Sequence, residues 1–153
     1  KSDPAWQGGN YTSPPVMGLR VAASLLQVAG FAPLYLQKAY GTRDAADAYI
    51  TQRIEASMKG IDANDIIYQI ESSRNYDPSK TIEKMTMPVT WINSSDDFIN
   101  PWDYGVAEDF GERLPDGKYL LIKATDDTRG HSTHTWAKFW KDELVALLER
   151  SEK

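Results

Sequence analysis

Two polar stretches of this sequence carry residue types that could transfer a proton. The stretch "WINSSDDFINPW" (91–102) ends an apolar run on Asp96 and Asp97, and "DDTRGHSTH" (126–134) carries His131. An aspartate that accepts a hydrogen bond from one imidazole nitrogen fixes the histidine tautomer, so the other nitrogen is free to take a proton from a nucleophile. We predict that Asp96 and His131 form this pair. Asp97 is the alternative acid if it is not simply a solvated loop residue.

Both stretches follow predicted strands. "MPVTWINSS" (87–95) predicts one strand, and "KYLLIKA" (118–124) predicts a second, whose continuous apolar centre is typical of a parallel sheet covered on both faces. In open α/β sheets, ligands bind beyond the carboxyl ends of the strands, where both polar stretches would lie. Asn100 and Pro101 predict the N-cap and first residue of a helix running to about Arg113.

The remaining elements are predicted to be helices. In the first half, helices are expected over 17–30, from Pro33 to about Tyr40, and from Asp44 to a stop at Gly60. Asp62 is expected to cap one more helix. The chain should end in a helix over about 135–150, with apolar side chains along one face. A run of short helices without strands is typical of a lid that covers another part of a protein.

Composition excludes several classes of function. The 153 residues suit one domain, and the net charge of −5 argues against nucleic acid or an anionic membrane surface as the main partner. The chain has no cysteine, which rules out thiol catalysis and disulfides within it. His131 and His134 could ligate a metal together with Asp126 or Asp127. We disfavour this alternative because zinc sites have a better-defined third ligand.

Several segments together resemble a known family. "DPAWQGGNY", "PPVMGLRVA", "IDANDIIYQIESSRNYD", "INSSDDFINP" and "RGH" occur in this order over nearly the whole chain. They resemble the C-terminal portion of the homoserine O-acetyltransferase branch of the α/β-hydrolases. The resemblance implies an α/β fold, with a helical lid or cap over 1–85 and the β-α-β-α part of the hydrolase core over 86–153. It also implies that a missing N-terminal segment or chain completes the parallel sheet.

The resemblance assigns roles to two residues. In the family pattern, apolar residues follow the catalytic aspartate at the second and third positions and proline at the fifth, and this count again selects Asp96, with His131 as the catalytic base. The nucleophilic serine of a G-x-S-x-G motif is absent from these 153 residues. It would therefore lie outside them. Either proteolytic processing cuts a precursor just before the lid, so that an N-terminal chain carries the serine and the two chains form a heterodimer, or these residues are a fragment of a longer chain. A homo-oligomer of this two-chain unit is left open.

The resemblance implies serine-dependent acyl transfer or ester hydrolysis on a small ester or thioester. One alternative is an O-acetyltransferase of the homoserine type with acetyl-CoA as co-substrate, and another is a binding subunit without catalytic activity. Ser132 stands where these transferases have an aspartate that holds the substrate ammonium, which argues against homoserine as the acceptor. We expect Ser132, Trp6 and Trp102 to contribute to substrate binding, with no bound cofactor, metal, nucleic acid or membrane partner. An exported location is slightly favoured over a cytoplasmic one.

Overall fold

A computed structural model describes residues 1–152. The helices, in chain order, are α1 (Val16–Ala29), α2 (Pro33–Ala39), α3 (Arg43–Ser57), α4 (Ala63–Glu71), α5 (Val106–Arg113) and α6 (Lys141–Ser151). The strands are β1 (Val89–Ser94), between α4 and α5, and β2 (Gly117–Ile122), between α5 and α6.

Internal contacts divide the chain into two units. The first unit comprises residues 1–28 and 40–76, and the second comprises residues 29–39 and the chain from residue 77 onward. Residues 29–39 and 77–85 thus belong to the unit that contains the strands. The division into a lid over 1–85 and a hydrolase core over 86–153 stays a prediction.

The first unit is helical, and polar side chains at the start of α4 connect this helix to the N-terminal turn. Asp62 caps α4 by accepting hydrogen bonds from the backbone N–H groups of Asn64 and Asp65, as the sequence predicts. The Asn64 side chain accepts a hydrogen bond from the indole N–H of Trp6 at 2.9 Å and donates one to the carbonyl of Gly9 at 3.0 Å. These contacts fix the N-terminal turn of the unit against α4.

The second unit is built on a two-stranded parallel sheet. β1 pairs with β2 from Val89 opposite Gly117 to Ser94 opposite Ile122. The connection between the strands runs through α5, which packs against β2. Trp91 on β1 meets Phe110 on α5 edge to face, with ring centroids 6.1 Å apart. The sequence-based strand–helix–strand–helix order is therefore confirmed.

Two predicted helix boundaries are wrong. Pro101 precedes a short 3-10 turn, Trp102–Tyr104, and the α-helix begins only after Gly105, which adopts a left-handed backbone with φ 69°. Asn100 does not cap this helix. The last predicted helix is also broken, because residues 130–135 and 137–139 form 3-10 turns before α6 begins at Lys141.

Within residues 1–152, no single helix has the length and apolar character needed to cross a membrane. Helices α1 and α2 together have the length and apolar composition of such a segment, but they are bent by 96° where they meet.

Candidate active site

The candidate site lies where the two strands end. Beyond the last paired residues, the N–H of Ser95 donates to the carbonyl of Ile122 at 2.9 Å. The Ser95 hydroxyl in turn accepts a hydrogen bond from the N–H of Ala124 at 2.8 Å. Both strands therefore end on the same side of the sheet, and the loops that follow β1 and β2 lie next to each other.

His131 from the second loop meets Asp97 from the first. The Nδ1 atom of His131 lies 3.0 Å from Oδ2 of Asp97. The aspartate is almost completely buried, at 7% exposure, whereas about a third of the histidine side chain (34%) is exposed. A buried acid bonded to an accessible imidazole is the arrangement that supports a general base.

The hydrogen bonds fix the tautomer of His131. The other carboxylate oxygen of Asp97 accepts hydrogen bonds from the backbone N–H groups of Ile99 at 2.8 Å and Asn100 at 3.0 Å. An ionised carboxylate can only accept, so Nδ1 of His131 carries the proton and donates it to Asp97. Among residues 1–152, no hydrogen bond engages Nε2 of His131. In the neutral imidazole, Nε2 is therefore the nitrogen that can accept a proton.

The Asn100 amide completes this arrangement. Its nitrogen lies 3.3 Å from Nδ1 of His131 and 3.4 Å from Oδ2 of Asp97. Because Nδ1 already carries a proton, the amide can donate only to the carboxylate. Asn100 therefore supports the acid, which explains why its side chain is not used to cap a helix.

Asp97 stays ionised because its hydrogen bonds outweigh its burial. Burial raises the pKa of the Asp97 carboxyl, while the N–H of Asn100, the imidazole of His131 and the N–H of Ile99 lower it. The net effect places the pKa of Asp97 below its ordinary value. A carboxylate that remains charged can stabilise an imidazolium when His131 takes up a proton.

Asp96 does not contact His131 as the sequence predicted, and this correction changes the assignment of the acid. Its carboxylate accepts hydrogen bonds from the hydroxyl of Ser94, from the hydroxyl of Thr128 at 2.6 Å and from the N–H of Gly130 at 3.3 Å. Thr128 is fully buried. Asp96 thus ties the loop that carries His131 to the end of β1, and the alternative acid, Asp97, makes the contact with the histidine.

Gly130 is required by the path of the same loop. Its backbone is left-handed with φ 56°, and a Cβ atom at this position would lie 2.6 Å from the carbonyl oxygen of Phe31 and 3.2 Å from that of Asp96. No side chain fits such a space. The glycine before His131 therefore allows the loop to pass close to two other backbone segments.

Arg129 anchors the loop from its other side. Its guanidinium lies over the ring of Tyr35 on α2, 3.5 Å from the centroid, and 4.8 Å from the centroid of the Trp136 ring. Its backbone N–H donates to the buried hydroxyl of Thr133 at 2.8 Å. Sequence reasoning gave Arg129 and Thr128 no role in the site and interpreted Asn100 as a helix cap, because only the folded loops bring the partners of these residues together.

The metal-site alternative has no support in this part of the chain. Nδ1 of His134 lies 2.5 Å from the carbonyl oxygen of His131. Asp126 and Asp127 instead pair with Lys38 at 2.7 Å and Lys138 at 2.9 Å. Residues 1–152 contain no group of three or more potential ligands that could hold a metal ion.

The predicted substrate-binding residues occupy different places. Trp6 belongs to the first unit, where its indole bonds to Asn64. Ser132 and Trp102 belong to the second unit, but neither lines the cavity that lies beside Asp97 and His131. Ser132 takes part in the backbone of the 3-10 turn by donating its N–H to the carbonyl of Arg129 at 3.0 Å. Their role in binding substrate stays a prediction.

A cavity of about 660 Å³ opens beside the Asp97–His131 pair. Asp97, Asn100 and His131 are among the residues that line it. The rest of its wall includes Trp140 and a run of five residues from β1, Thr90, Trp91, Ile92, Asn93 and Ser94.

A solved structure resembles nearly the whole chain. The crystal structure of homoserine O-acetyltransferase from Bacillus anthracis matches 99% of this chain with a TM-score of 0.77 and 16% sequence identity. The chain spans 46% of the length of that structure. No protein-family model and no curated protein matches the sequence.

The chain has the fold of part of an α/β-hydrolase. This likeness confirms the predicted fold class, and helices followed by a parallel strand pair are consistent with the C-terminal portion of that fold. In α/β-hydrolases, as in other open α/β sheets, functional groups gather beyond the carboxyl ends of the strands. Asp97 and His131 occupy this position in the chain.

Proposed function

We propose that this chain supplies the acid and the base for serine-dependent acyl transfer or ester hydrolysis. In this proposal the nucleophilic serine lies on a separate N-terminal chain of the same precursor, released by proteolytic processing, and the two chains form a heterodimer. The observation that carries the proposal is the 3.0 Å contact between Asp97 and Nδ1 of His131, with Nε2 unengaged. The α/β-hydrolase fold supports the same chemistry, because the acid and the histidine follow the nucleophile in the chain order of these enzymes.

In each half-reaction of this mechanism, His131 takes up one proton and gives it away again. Nε2 takes the serine proton as the serine oxygen attacks the carbonyl carbon of an ester or thioester. The resulting imidazolium is stabilised by the Asp97 carboxylate and then gives the proton to the departing alcohol or thiol as its bond to the carbonyl carbon breaks. In the second half-reaction, His131 takes a proton from water or an acceptor alcohol as its oxygen attacks the acyl carbon, and then gives that proton to the serine oxygen as the acyl–serine bond breaks.

The transferase alternative differs only in the acceptor. An acetyl-CoA-dependent O-acetyltransferase would use the same pair, and the likeness to the Bacillus anthracis structure favours keeping this alternative. Ser132 argues against an amino-acid acceptor, since a neutral hydroxyl compensates the desolvation of an ammonium group less well than a carboxylate does. Measuring how the acyl-enzyme partitions separates the two reactions. Transfer to added alcohols indicates a transferase, and transfer to water regardless of alcohol concentration indicates a hydrolase.

The proposal is tested with variants of the acid, the base and the neighbouring aspartate in the assembled two-chain enzyme. We expect His131→Ala and Asp97→Asn to lower kcat/KM for a p-nitrophenyl ester roughly 10³-fold or more, because each removes part of the proton relay. Asp96→Asn is the comparison variant. It changes the adjacent carboxylate, which holds the loop but does not touch the histidine, so it should lower kcat/KM much less than Asp97→Asn does.

A loss of activity in Asp96→Asn as large as that in Asp97→Asn, with both variants folded, would contradict the assignment of Asp97 as the acid. Full activity in His131→Ala would contradict the proposed function as a whole. Full activity in His131→Ala is what the remaining alternative, a binding subunit without catalytic activity, predicts.

A further inference from the structure

The loop that follows β1 is held by hydrogen bonds more than by packing. Its start is fixed, because Ser95 is bonded to the backbone at and just after the end of β2. Towards its end, the side chains of Phe98 and Ile99 are 59% and 42% exposed, and Asn100 is exposed as well. Hydrogen bonds therefore determine where the end of this loop lies.

The carboxylate of Asp97 is attached to the end of the loop. Its Oδ1 accepts the N–H groups of Ile99 at 2.8 Å and Asn100 at 3.0 Å, and its Oδ2 lies 3.4 Å from the amide nitrogen of Asn100. A carboxylate has about four acceptor positions on its two oxygens, so Nδ1 of His131, at 3.0 Å, takes the one that remains. A movement of Ile99 and Asn100 would therefore pull the carboxylate away from the histidine.

Asn93 fixes the end of the loop to the sheet. Its amide nitrogen donates to the carbonyl oxygen of Asn100 at 2.8 Å, and its amide oxygen accepts the N–H of Ser94 at 2.7 Å. Asn93 itself lies in β1, where it pairs with Leu121 of β2. One side chain thus connects the rigid strand to the residue that holds Asp97.

We propose that Asn93 is a positioning residue, whose bond to Asn100 keeps Asp97 directed at Nδ1 of His131. This inference rests on the proposed function and adds to it a residue that acts only through the acid. Within residues 1–152, the side chain of Asn93 makes no hydrogen bond to Asp97 or to His131. Because Asn93 also lines the cavity, the competing explanation is a direct contact with substrate.

The first test measures kcat and KM for a p-nitrophenyl ester in the assembled two-chain enzyme. Asn93→Ala should lower kcat about 10- to 100-fold and change KM less than about threefold, because it misplaces the acid and removes no group that binds substrate. A direct contact with substrate predicts a rise in KM instead.

Two further variants support this test. Asn93→Asp keeps the shape of the side chain and the acceptor for Ser94 but loses the donor to Asn100, so it should also lower kcat, and it replaces Asn93→Ala if that variant does not fold. Asn75→Asp is the matched control, because Asn75 is exposed and its side chain makes no hydrogen bond within residues 1–152. Its kcat should equal that of the wild type.

The second test asks whether Asn93 acts through Asp97. In the Asp97→Asn background, Asn93→Ala should lower kcat less than about twofold, because the acid that it positions is already lost. A purely structural role of Asn93 predicts the same loss in both backgrounds.

The third test reads the contact without catalysis. The proton on Nδ1 of His131, bonded to a carboxylate, should give a low-field NMR resonance in the assembled protein, which is identified by its absence in His131→Ala. This resonance should weaken or disappear in Asn93→Ala and persist in Asn75→Asp.

The outcomes distinguish the inference from the proposed function. An unchanged kcat in Asn93→Ala, a rise in KM alone, or equal losses in the two backgrounds would overturn the positioning role and leave the proposed function standing. A wild-type protein without esterase activity would overturn the proposed function. The response of the Nδ1 resonance to Asn93→Ala then still decides whether Asn93 directs Asp97 at His131.

Discussion

Adjacent aspartates at the end of β1 perform different tasks. Asp97 turns towards His131 and receives its Nδ1 proton at 3.0 Å. Asp96 turns the opposite way and binds the hydroxyl of Thr128 at 2.6 Å and the N–H of Gly130 at 3.3 Å. One carboxylate therefore contacts the base and the other holds the loop that presents it, so the site depends on both through different mechanisms.

The lowered pKa of Asp97 predicts a pH dependence of stability. A carboxyl whose pKa is lower in the folded state adds stability that is fully present above its unfolded pKa of about 3.9 and is lost as pH falls through the folded pKa. The free energy of unfolding of the wild type should therefore exceed that of Asp97→Asn by an amount that shrinks below about pH 4. Denaturant titrations at several pH values measure this. A difference that stays constant through the acid range would contradict the assignment.

The Thr128–Asp96 bond predicts a stability effect at a buried hydroxyl. Thr128→Val keeps the shape of the side chain and removes a donor to the Asp96 carboxylate, so we expect a loss of about 1–3 kcal/mol in the free energy of unfolding. Thr86→Val is the matched control, because Thr86 is exposed and its side chain makes no hydrogen bond within residues 1–152, so its change should cost less than about 0.5 kcal/mol. Equal losses in both variants, measured by urea unfolding, would show that Asp96 does not hold the loop.

At this scale the sequence identified the right residue types and missed the pairing by one position. An acid and a histidine after successive strands could be predicted from the apolar runs that precede them. Which of Asp96 and Asp97 faces the histidine depends on where β1 ends and how the chain turns at Ser95. The count of positions to Pro101 was taken from the family pattern, and it does not describe how the backbone turns after Ser95.

At the scale of elements, the loop between β2 and α6 is shaped by one glycine. Gly130→Ala would place a Cβ 2.6 Å from the Phe31 carbonyl oxygen and would also strain a backbone with φ 56°. We expect this variant to lose more than about 2 kcal/mol in stability, together with most of the esterase activity, since His131 is the next residue. Thermal unfolding and p-nitrophenyl ester hydrolysis measure the two effects.

Gly60→Ala is the control for this prediction. Gly60 is also left-handed, with φ 73°, but a Cβ there meets nothing within 4 Å. The substitution Gly60→Ala should therefore lower the free energy of unfolding only by the backbone strain, about 1–2 kcal/mol, and leave the activity of the folded protein unchanged. Equal effects of the two substitutions would indicate that the close approach at Gly130 is unimportant.

The elements that the sequence predicted best are those with a clear local signal at the residue where they begin. Helix α4 has an aspartate cap at Asp62, and β1 follows Pro88, whose missing N–H is tolerated where a strand begins. The helix predicted from Asn100 failed because the Asn100 amide serves Asp97 and because Gly105 interrupts the helical backbone. At Asn100, contacts made in the folded protein outweighed the preference of asparagine for a helix cap.

At the scale of the whole molecule, much apolar surface is exposed. Along α1, the side chains of Val16, Met17, Val21, Leu25, Leu26 and Val28 are each more than half exposed, from 51% to 79%. In the second unit, β1 has an edge that no strand covers. Hydrophobic periodicity predicted the helices and strands, but it could not show that their surfaces are incompletely buried within these residues.

The central claim is that Asp97 and His131 activate a serine that lies outside this chain. The most direct measurement treats the natively purified protein with a fluorophosphonate, which bonds to activated serines, and locates the adduct by mass spectrometry of the intact chains and their peptides. The account predicts an adduct on a G-x-S-x-G serine of a second chain, and a much slower reaction in His131→Ala than in Asp96→Asn. An adduct on a serine of the 153 residues, or labelling that is unchanged in His131→Ala, would contradict it.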